Sequence, residues 1–202
     1  MFSEAQTTGS VRIGANQVPG YIVGRWKIDP AHSHVGFSVK HMMVSKVRGK
    51  FASFEGSIIT AAQPLESAVS VTIDADSVDT GNETRDEHVR SEDFLATAKY
   101  PTISFTSTGV RNDADQLYVD GDLTIRGVTR PVMLNVEIPQ FVSLGEGSGK
   151  AGFSATTEIN RSEFGVTFNG VIPGSGVTLG EKVQIILEVE AELLPDVTAE
   201  VD

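Results

Sequence analysis

The feature that most constrains this chain is a hydrophobic period of two that recurs from Trp26 onward. Val35, Phe37, Val39 and His41 alternate with His34, Gly36, Ser38 and Lys40, and Val69, Val71, Ile73 and Ala75 alternate with Ser70, Thr72, Asp74 and Asp76. The pattern returns in Leu117 to Ile125, in Val132 to Ile138 and in Val183 to Ala191, where Glu188, Glu190 and Glu192 take the polar places. Successive strand side chains point to opposite faces, so strict alternation means strands with one buried and one wet face, as in an antiparallel sheet. Further strands are expected over 50–60, 102–110 and 150–159, for eight or more in all.

Turn chemistry separates the runs. Arg126 to Pro131 joins two alternating segments as a hairpin, with Gly127 free to take positive φ. Ser143 to Lys150 (SLGEGSGK) reads as a flexible loop. A nucleotide-binding glycine loop needs a following amphipathic helix, and none follows here. One segment breaks the period. In RDEHVRSEDF, Arg85 to Phe94, ten residues hold four carboxylates, two arginines and a histidine. Thr80 and Glu83 fit a capping box, Asp86 and Arg90 lie four apart with the acid first, and Ser91 is a second cap candidate. Tyr100-Pro101 then favours an extended chain. One or two short helices are expected within 82–98, with Phe94 and Leu95 as apolar anchors.

These elements predict an all-β chain: an extended antiparallel barrel of about eight strands with a short helical insertion. A barrel of that size can hold one small ligand. Phe37, Phe51, Phe54, Phe105 and Phe153 fall in strand runs and are candidates for core packing or for lining a cavity. The organisation expected is an arm over 1–20, the barrel over 21–194 and a tail over 195–202.

Composition narrows the function. Cysteine is absent, which excludes disulfides, thiolate-bound metals and thiol nucleophiles. The net charge of −11 opposes nucleic acid and anionic lipid surfaces. No apolar run reaches the length of a membrane-spanning helix, so no integral membrane association is expected. The first twenty residues lack a basic start and an apolar run, so the expectation is a cytoplasmic protein. His32 and His34 share one strand face and could ligate a metal with His88, whereas His41 falls on the opposite face from His34. Hydrogen-bonded structural histidines are the default, and a buried, hydrogen-bonding His88 is expected. No GxSxG elbow or ordered triad appears, so no catalytic residue and no cofactor is assigned.

Five segments together resemble the YceI-like family, the lipocalin-like polyisoprenoid-binding proteins. They are Trp26 to His41 (WKIDPAHSHVGFSVKH); Val47 to Phe51 with Phe54 to Gly56; Arg85 to Phe94 with Tyr100-Pro101 and Phe105; Gly121 to Val132; and Asn160 to Gly165. The resemblance spans about residues 25 to 192, and for this type of fold it implies that Gln140–Ala151 shapes a barrel rim. It implies a barrel with a long apolar lumen that binds an isoprenoid lipid or similar long-chain amphiphile without catalysis, the cargo being a polyprenyl chain, its phosphate or an isoprenoid quinone. Several family members are exported, a pattern from which this N-terminus departs. On this reading Phe37, Val39, Phe51, Phe54, Phe105 and Phe153 line the tail channel, Phe94 and Leu95 cover one end, and Arg161 and Ser162 contact a polar head. The alternatives are a fatty acid or amide as cargo, a metal-assisted enzyme using His32, His34 and His88, and an interaction or stress protein whose interior is plain core. Two barrels can pair through an edge or face, so a homodimer is compatible with the architecture.

Overall fold

A computed structural model describes residues 18–42, 44–113, 116–145, 147–172 and 176–195. The expected arm and tail therefore lie outside the described residues, apart from 18–20 and Pro195. Among the described residues the strands are β1 (Gly24–Ile28), β2 (His34–His41), β3 (Ser45–Phe51), β4 (Phe54–Thr60), β5 (Ala68–Asp74), β6 (Val78–Asp79), β7 (Thr102–Asp113), β8 (Gln116–Ile125), β9 (Val128–Val136), β10 (Gln140–Gly145), β11 (Ser148–Asn160), β12 (Val171–Ile172), β13 (Gly176–Val177) and β14 (Leu179–Leu193), with one α-helix, α1 (Glu83–Arg90), between β6 and β7.

All pairings are antiparallel. The order β11-β9-β8-β7-β5-β4-β1-β14 closes where β14 pairs back onto β11, from Lys150↔Glu192 to Asn160↔Lys182. The result is a closed eight-stranded barrel, as the alternation requires, because closure removes the free edges of an open sheet. Four of its walls are interrupted strands. β1 and β2 lie end to end along one edge of β14, β4 and β3 run beside them, β5 and β6 follow, and β9 and β10 share β11.

Each break satisfies its own backbone. Between β1 and β2 the chain bulges over residues 29–33. The facing Glu190 then bonds through its carbonyl to Asp29 N (2.9 Å) and through its N–H to Ser33 Oγ (2.9 Å). Two breaks meet where Ala52 N donates to Ser77 O (3.1 Å) and Asp74 N to Ser53 O (2.9 Å).

The turn expected over 126–131 is tighter than that. Arg126 and Gly127 alone connect β8 to β9, both at positive φ (51° and 72°), and 128–131 already pair within β9. Such a two-residue turn matches the natural strand twist. A side chain at Gly127 would also meet Tyr100, whose Cε1 lies 2.7 Å from where a Cβ would stand. Ser143–Lys150 is not a loop either. It is a β10–β11 hairpin paired as Val142↔Lys150, Ser143↔Gly149 and Gly145↔Ser148, with Gly145 and Gly147 at positive φ shaping the turn.

The helical insertion is one helix followed by turns over 91–99. Asn82, not Thr80, caps it by accepting from Arg85 N (3.0 Å). Ser91 is its C-cap, with Oγ donating to His88 O (2.7 Å), and starts no second helix. Asp86 does not pair with Arg90. It is buried and accepts from both N and Oγ1 of Thr80, while Arg90 donates to Asp76 O and Val78 O. The residues expected to make a capping box and an ion pair thus pin the helix to the chain entering it.

Candidate functional site

The alternating faces leave the barrel's interior incompletely filled. A cavity of about 970 Å³ runs through it, walled by Val183, Ile185, Leu187 and Val189 of β14, by Phe153, Ala155 and Ile159 of β11, and by the inward faces of β2 to β5 and β7 to β9. From Leu179 to Val189 the wall extends ten residue steps, roughly 33 Å along the strand. The polar atoms at the inner end are occupied: Tyr21 Oη donates to Ala61 O (2.7 Å) and Thr60 Oγ1 to Ile22 O (2.7 Å). Burial raises the Tyr21 pKa, partly offset by its hydrogen bond with Ser67.

One end is packed by aromatic rings. Trp26 is fully buried, its indole N–H donating to Thr60 Oγ1 (2.8 Å). Phe141 meets Tyr21, Trp26 and Phe153 edge to face, with centroids 5.2, 5.5 and 5.8 Å apart. Val18 is buried in the same cluster, so residues 18–20 belong to the barrel's end and not to a free arm.

The other end opens. Beyond Lys50, β3 pairs only with β2, since β6 reaches only Lys50 and Phe51. Across that free edge stands α1, held by the Thr80–Asp86 bonds, and the gap between them is the mouth. Arg85, His88 and Val89 line it from α1, at the i, i+3, i+4 spacing of one helix face. Phe94 and Phe168 stack around His88 with centroids 5.0 and 5.1 Å from its ring, and Phe168 remains 38% exposed. Arg126 Nη1 donates to Phe94 O (2.7 Å), tying this aromatic cluster to the β8–β9 turn.

Of the residues singled out from sequence, Phe37, Val39, Phe51, Phe54, Phe94, Leu95, Phe105, Phe153 and Arg161 all border the cavity. Phe37 faces Gly49 on β3, and its ring occupies the space where a side chain there would stand. Phe94 and Leu95 sit at the mouth. Ser162 does not border the cavity; its hydroxyl turns to Asn160 Oδ1 (2.9 Å). Arg161 is buried and committed to the chain itself, donating to Gly180 O (3.0 Å), Val166 O and Phe168 O (2.8 Å each) and Glu181 (3.2 Å). Its fork braces the mouth wall instead of offering free donors. His88 is not buried. It is half exposed, at the mouth, with Nε2 2.9 Å from Asp93 Oδ2.

The structure does not gather His32, His34 and His88. His88 borders the mouth, whereas His32 and His34 do not line the cavity. His32 pairs with Asp29 (2.8 Å) near Glu190 (3.9 Å), the one grouping of potential ligands among the described residues. The Lys150 ammonium already sits between these acids, 2.7 Å from Glu190, 2.8 Å from Glu192 and 3.7 Å from Asp29. Its pKa is raised by those two glutamates, the hydrogen bond to Asp29 raises that of His32, and the same bond lowers that of Asp29. A cation of the protein's own thus balances the cluster.

Sequence reasoning missed the Trp26–Phe141 packing and the role of Phe168. Phe141 lies in the segment read as a rim, and Phe168 lies in an irregular stretch with no period to assign its face.

A closed eight-stranded antiparallel barrel with an apolar lumen defines a lipocalin-like fold. The chain belongs to the YceI-like family: the YceI-like domain matches residues 26–191. It is 38% identical over 175 residues to Protein YceI of Escherichia coli O157:H7, covering 84% of this chain and 87% of that one. The Campylobacter jejuni YCEI protein superposes with a TM-score of 0.65 at 34% identity, over 82% of this chain and 96% of that one. A polyisoprenoid binding domain from Saccharophagus degradans, implicated in plant cell wall breakdown, shares the fold with a TM-score of 0.60 at 18% identity, over 86% of this chain and all of that one.

Proposed function

We propose that this protein binds and carries one isoprenoid lipid chain in its lumen and performs no chemistry on it. The observation that carries this reading is the continuous apolar cavity of about 970 Å³. At roughly 30 Å³ per water-sized group, that space accommodates about thirty chain carbons. An ordinary fatty acid would leave much of it void, and an unfilled apolar void forfeits contacts along its lining. A polyprenyl chain of about six units fills it, and its methyl branches suit a wall corrugated by Phe37, Phe105 and Phe153. The polyisoprenoid binding named for the structural neighbour supports the same cargo class. Among the described residues the deep wall carries no carboxylate, imidazole or amine, so a bound tail meets no acid–base pair.

The test is direct. Protein purified without detergent is extracted with solvent, and the lipids are identified by mass spectrometry. Polyprenol is then titrated into delipidated protein while Trp26, the single tryptophan, reports by fluorescence. Recovered or titratable isoprenoid is the expected result. Fatty acids as the main recovered lipid, or a barrel empty in repeated preparations and inert to added polyprenol, would overturn the reading.

A further inference from the structure

The net charge of −11 opposes an anionic surface for the molecule as a whole, but the charge is not spread evenly. Between Asp29 and Glu55 the chain has no acidic residue, while Lys40, Lys46, Arg48 and Lys50 fall within that stretch. All four lie on the outer side of the β2–β3 hairpin. Register sets Lys40 opposite Lys46 and Ser38 opposite Arg48, and alternation turns these positions outward because Val39, His41 and Val47 border the cavity. Lys50 lies 3.9 Å from Asp79, whereas Lys40, Lys46 and Arg48 have no ion-pair partner among the described residues. On the neighbouring strands, Glu181 is already paired with Arg161 (3.2 Å) and Glu158 with Lys182 (2.6 Å).

The same hairpin ends in apolar side chains. Val44, in its turn, is 86% exposed, the most of any large apolar side chain among the described residues, and Met42 is 46% exposed. The turn stands at the open end of the barrel, since His41 and Ser45 at its base border the cavity. Met42 N donates to Thr178 O (2.8 Å), and Thr178 N to Gly170 O (3.0 Å). These bonds set the turn beside the segment that carries the half-exposed Phe168. Apolar side chains at a tip with unpaired cations on its flank form an interfacial anchor: the apolar groups enter the headgroup boundary and the cations stay at the phosphates. A convex tip suits a bilayer, which deforms around it, better than a protein partner, which would need a matching hollow.

We propose that the β2–β3 hairpin docks the barrel on an anionic bilayer surface, with Met42 and Val44 entering the interface and Lys40, Lys46 and Arg48 meeting lipid phosphates. Docked in this way, the open end of the barrel faces the membrane. The site lies on the outer surface and does not depend on what occupies the lumen.

The experiment floats delipidated full-length protein with vesicles of phosphatidylcholine alone and of phosphatidylcholine mixed with phosphatidylglycerol, both free of isoprenoid. Binding to the mixed vesicles is expected, and it should weaken as salt is added. Each cation at an anionic surface contributes about fivefold, so Lys40→Gln, Lys46→Gln and Arg48→Gln together should cost about a hundredfold. Val44→Ser should cost about tenfold. Thermal melts confirm that the variants fold. The chain has no cysteine, so Val44→Cys and Leu144→Cys each carry a single environment-sensitive dye in an otherwise unaltered protein. The dye at 44 should shift to the blue on the mixed vesicles. The dye at 144, an exposed position on the β10–β11 hairpin, should not. Equal binding to neutral and mixed vesicles, binding that survives the triple substitution, or equal responses from the two dyes would overturn the inference. So would polyglutamate bound as tightly as the mixed vesicles, which would mark a site for acidic protein. If the mixed vesicles do not bind and the triple variant self-associates, the cations guard the free edge of β3 against strand pairing, and the inference fails. Each of these failures leaves the lumen reading standing, because no vesicle supplies isoprenoid.

Discussion

Replacing Arg161 by Met is the sharpest test of what holds the mouth in shape. Methionine keeps the unbranched stem and removes the guanidinium. Three carbonyls then lose their donor: Val166 O, which is buried, and Phe168 O and Gly180 O, which are partly buried. An orphaned buried carbonyl costs about 1–3 kcal/mol, and each of the other two, able to regain water, about 0.5–1.5 kcal/mol. The pair with Glu181 adds little, because that carboxylate is half exposed. The sum is about 4 kcal/mol within a range of roughly 2–6, a large share of a typical domain's stability. For a chain of this size that lowers Tm by about 8–16 °C at the central value. Calorimetry and guanidinium melts measure the loss, and amide exchange should show it spreading over 164–180, where the fork ties the segment after β11 to β14. Arg161→Lys keeps the charge but not the three-way fork, so it should recover less than half. A variant of near-native stability whose lipid affinity falls tenfold or more would refute the reasoning, because Arg161 would then be a ligand group and not a brace.

Trp26→Ala empties a fully buried site and should cost about 3–5 kcal/mol, read from denaturant melts; a loss under about 1 kcal/mol would mean that end is loosely packed. Ala155→Phe places a ring in the mid-lumen, where space already exists. Stability should hold within about 1–3 kcal/mol while the longest isoprenoids no longer bind, as titration against chain length would show, and unchanged capacity would mean the tail does not reach β11. Asn82→Ala removes the α1 cap at about 0.5–2 kcal/mol, expected as faster local exchange in 83–90. For the 29–33 bulge, His32 has its pKa raised above 6.5 by Asp29, so its contribution is complete below 6.5 and is lost as pH rises through the raised value. Asp29 is lowered below 3.8 by the same bond, so its contribution is complete above 3.8 and is lost as pH falls through the lowered value. The bulge should therefore be held best between 3.8 and 6.5; an NMR titration placing His32 at or below 6.5 would contradict this.

The lumen was legible in sequence because period two fixes side-chain direction without tertiary information. Once Val183, Ile185, Leu187 and Val189 share a face, closing the sheet puts them inside, and the same logic placed Phe37, Val39, Phe51, Phe54, Phe105 and Phe153. The polar groups were less legible. Asp86 and Arg90 have ideal helical spacing, yet each finds its partner outside the helix: Asp86 accepts from two donors on Thr80, and Arg90 donates to the carbonyls of Asp76 and Val78. Arg161 belongs to a family signature, which invites a ligand role. Its three carbonyl partners lie in segments whose path no local pattern reveals. The breaks at 29–33, 52–53 and 75–77 were hidden for a related reason: each is stabilised by a segment distant in sequence, Glu190 for the first and, for the other two, one another.

The partition of charge around the mouth bears on how such a barrel could compete for its cargo. Each CH₂ moved from water into the lumen gains about 0.8 kcal/mol, but it gains nearly the same in a bilayer, where these lipids reside. Lengthening the tail therefore adds affinity against water and almost none against a membrane. Net preference for the barrel must come from terms the bilayer does not match. One is a wall already shaped for the tail, so that its packing needs no reorganisation. The other is polar contact at the cavity's border, where Arg85 is held by Thr80 and no Asp or Glu lines the cavity among the described residues. In a chain of net charge −11, long-range repulsion opposes the approach of an anionic lipid, so any favourable contact with such a head would act only at short range. The acids of Glu83 to Asp93 satisfy that condition. None of them borders the cavity, and Asp86 is tied to Thr80, Asp93 to His88 and Glu83 to Arg90, while Arg85, His88 and Val89 of the same helix border it.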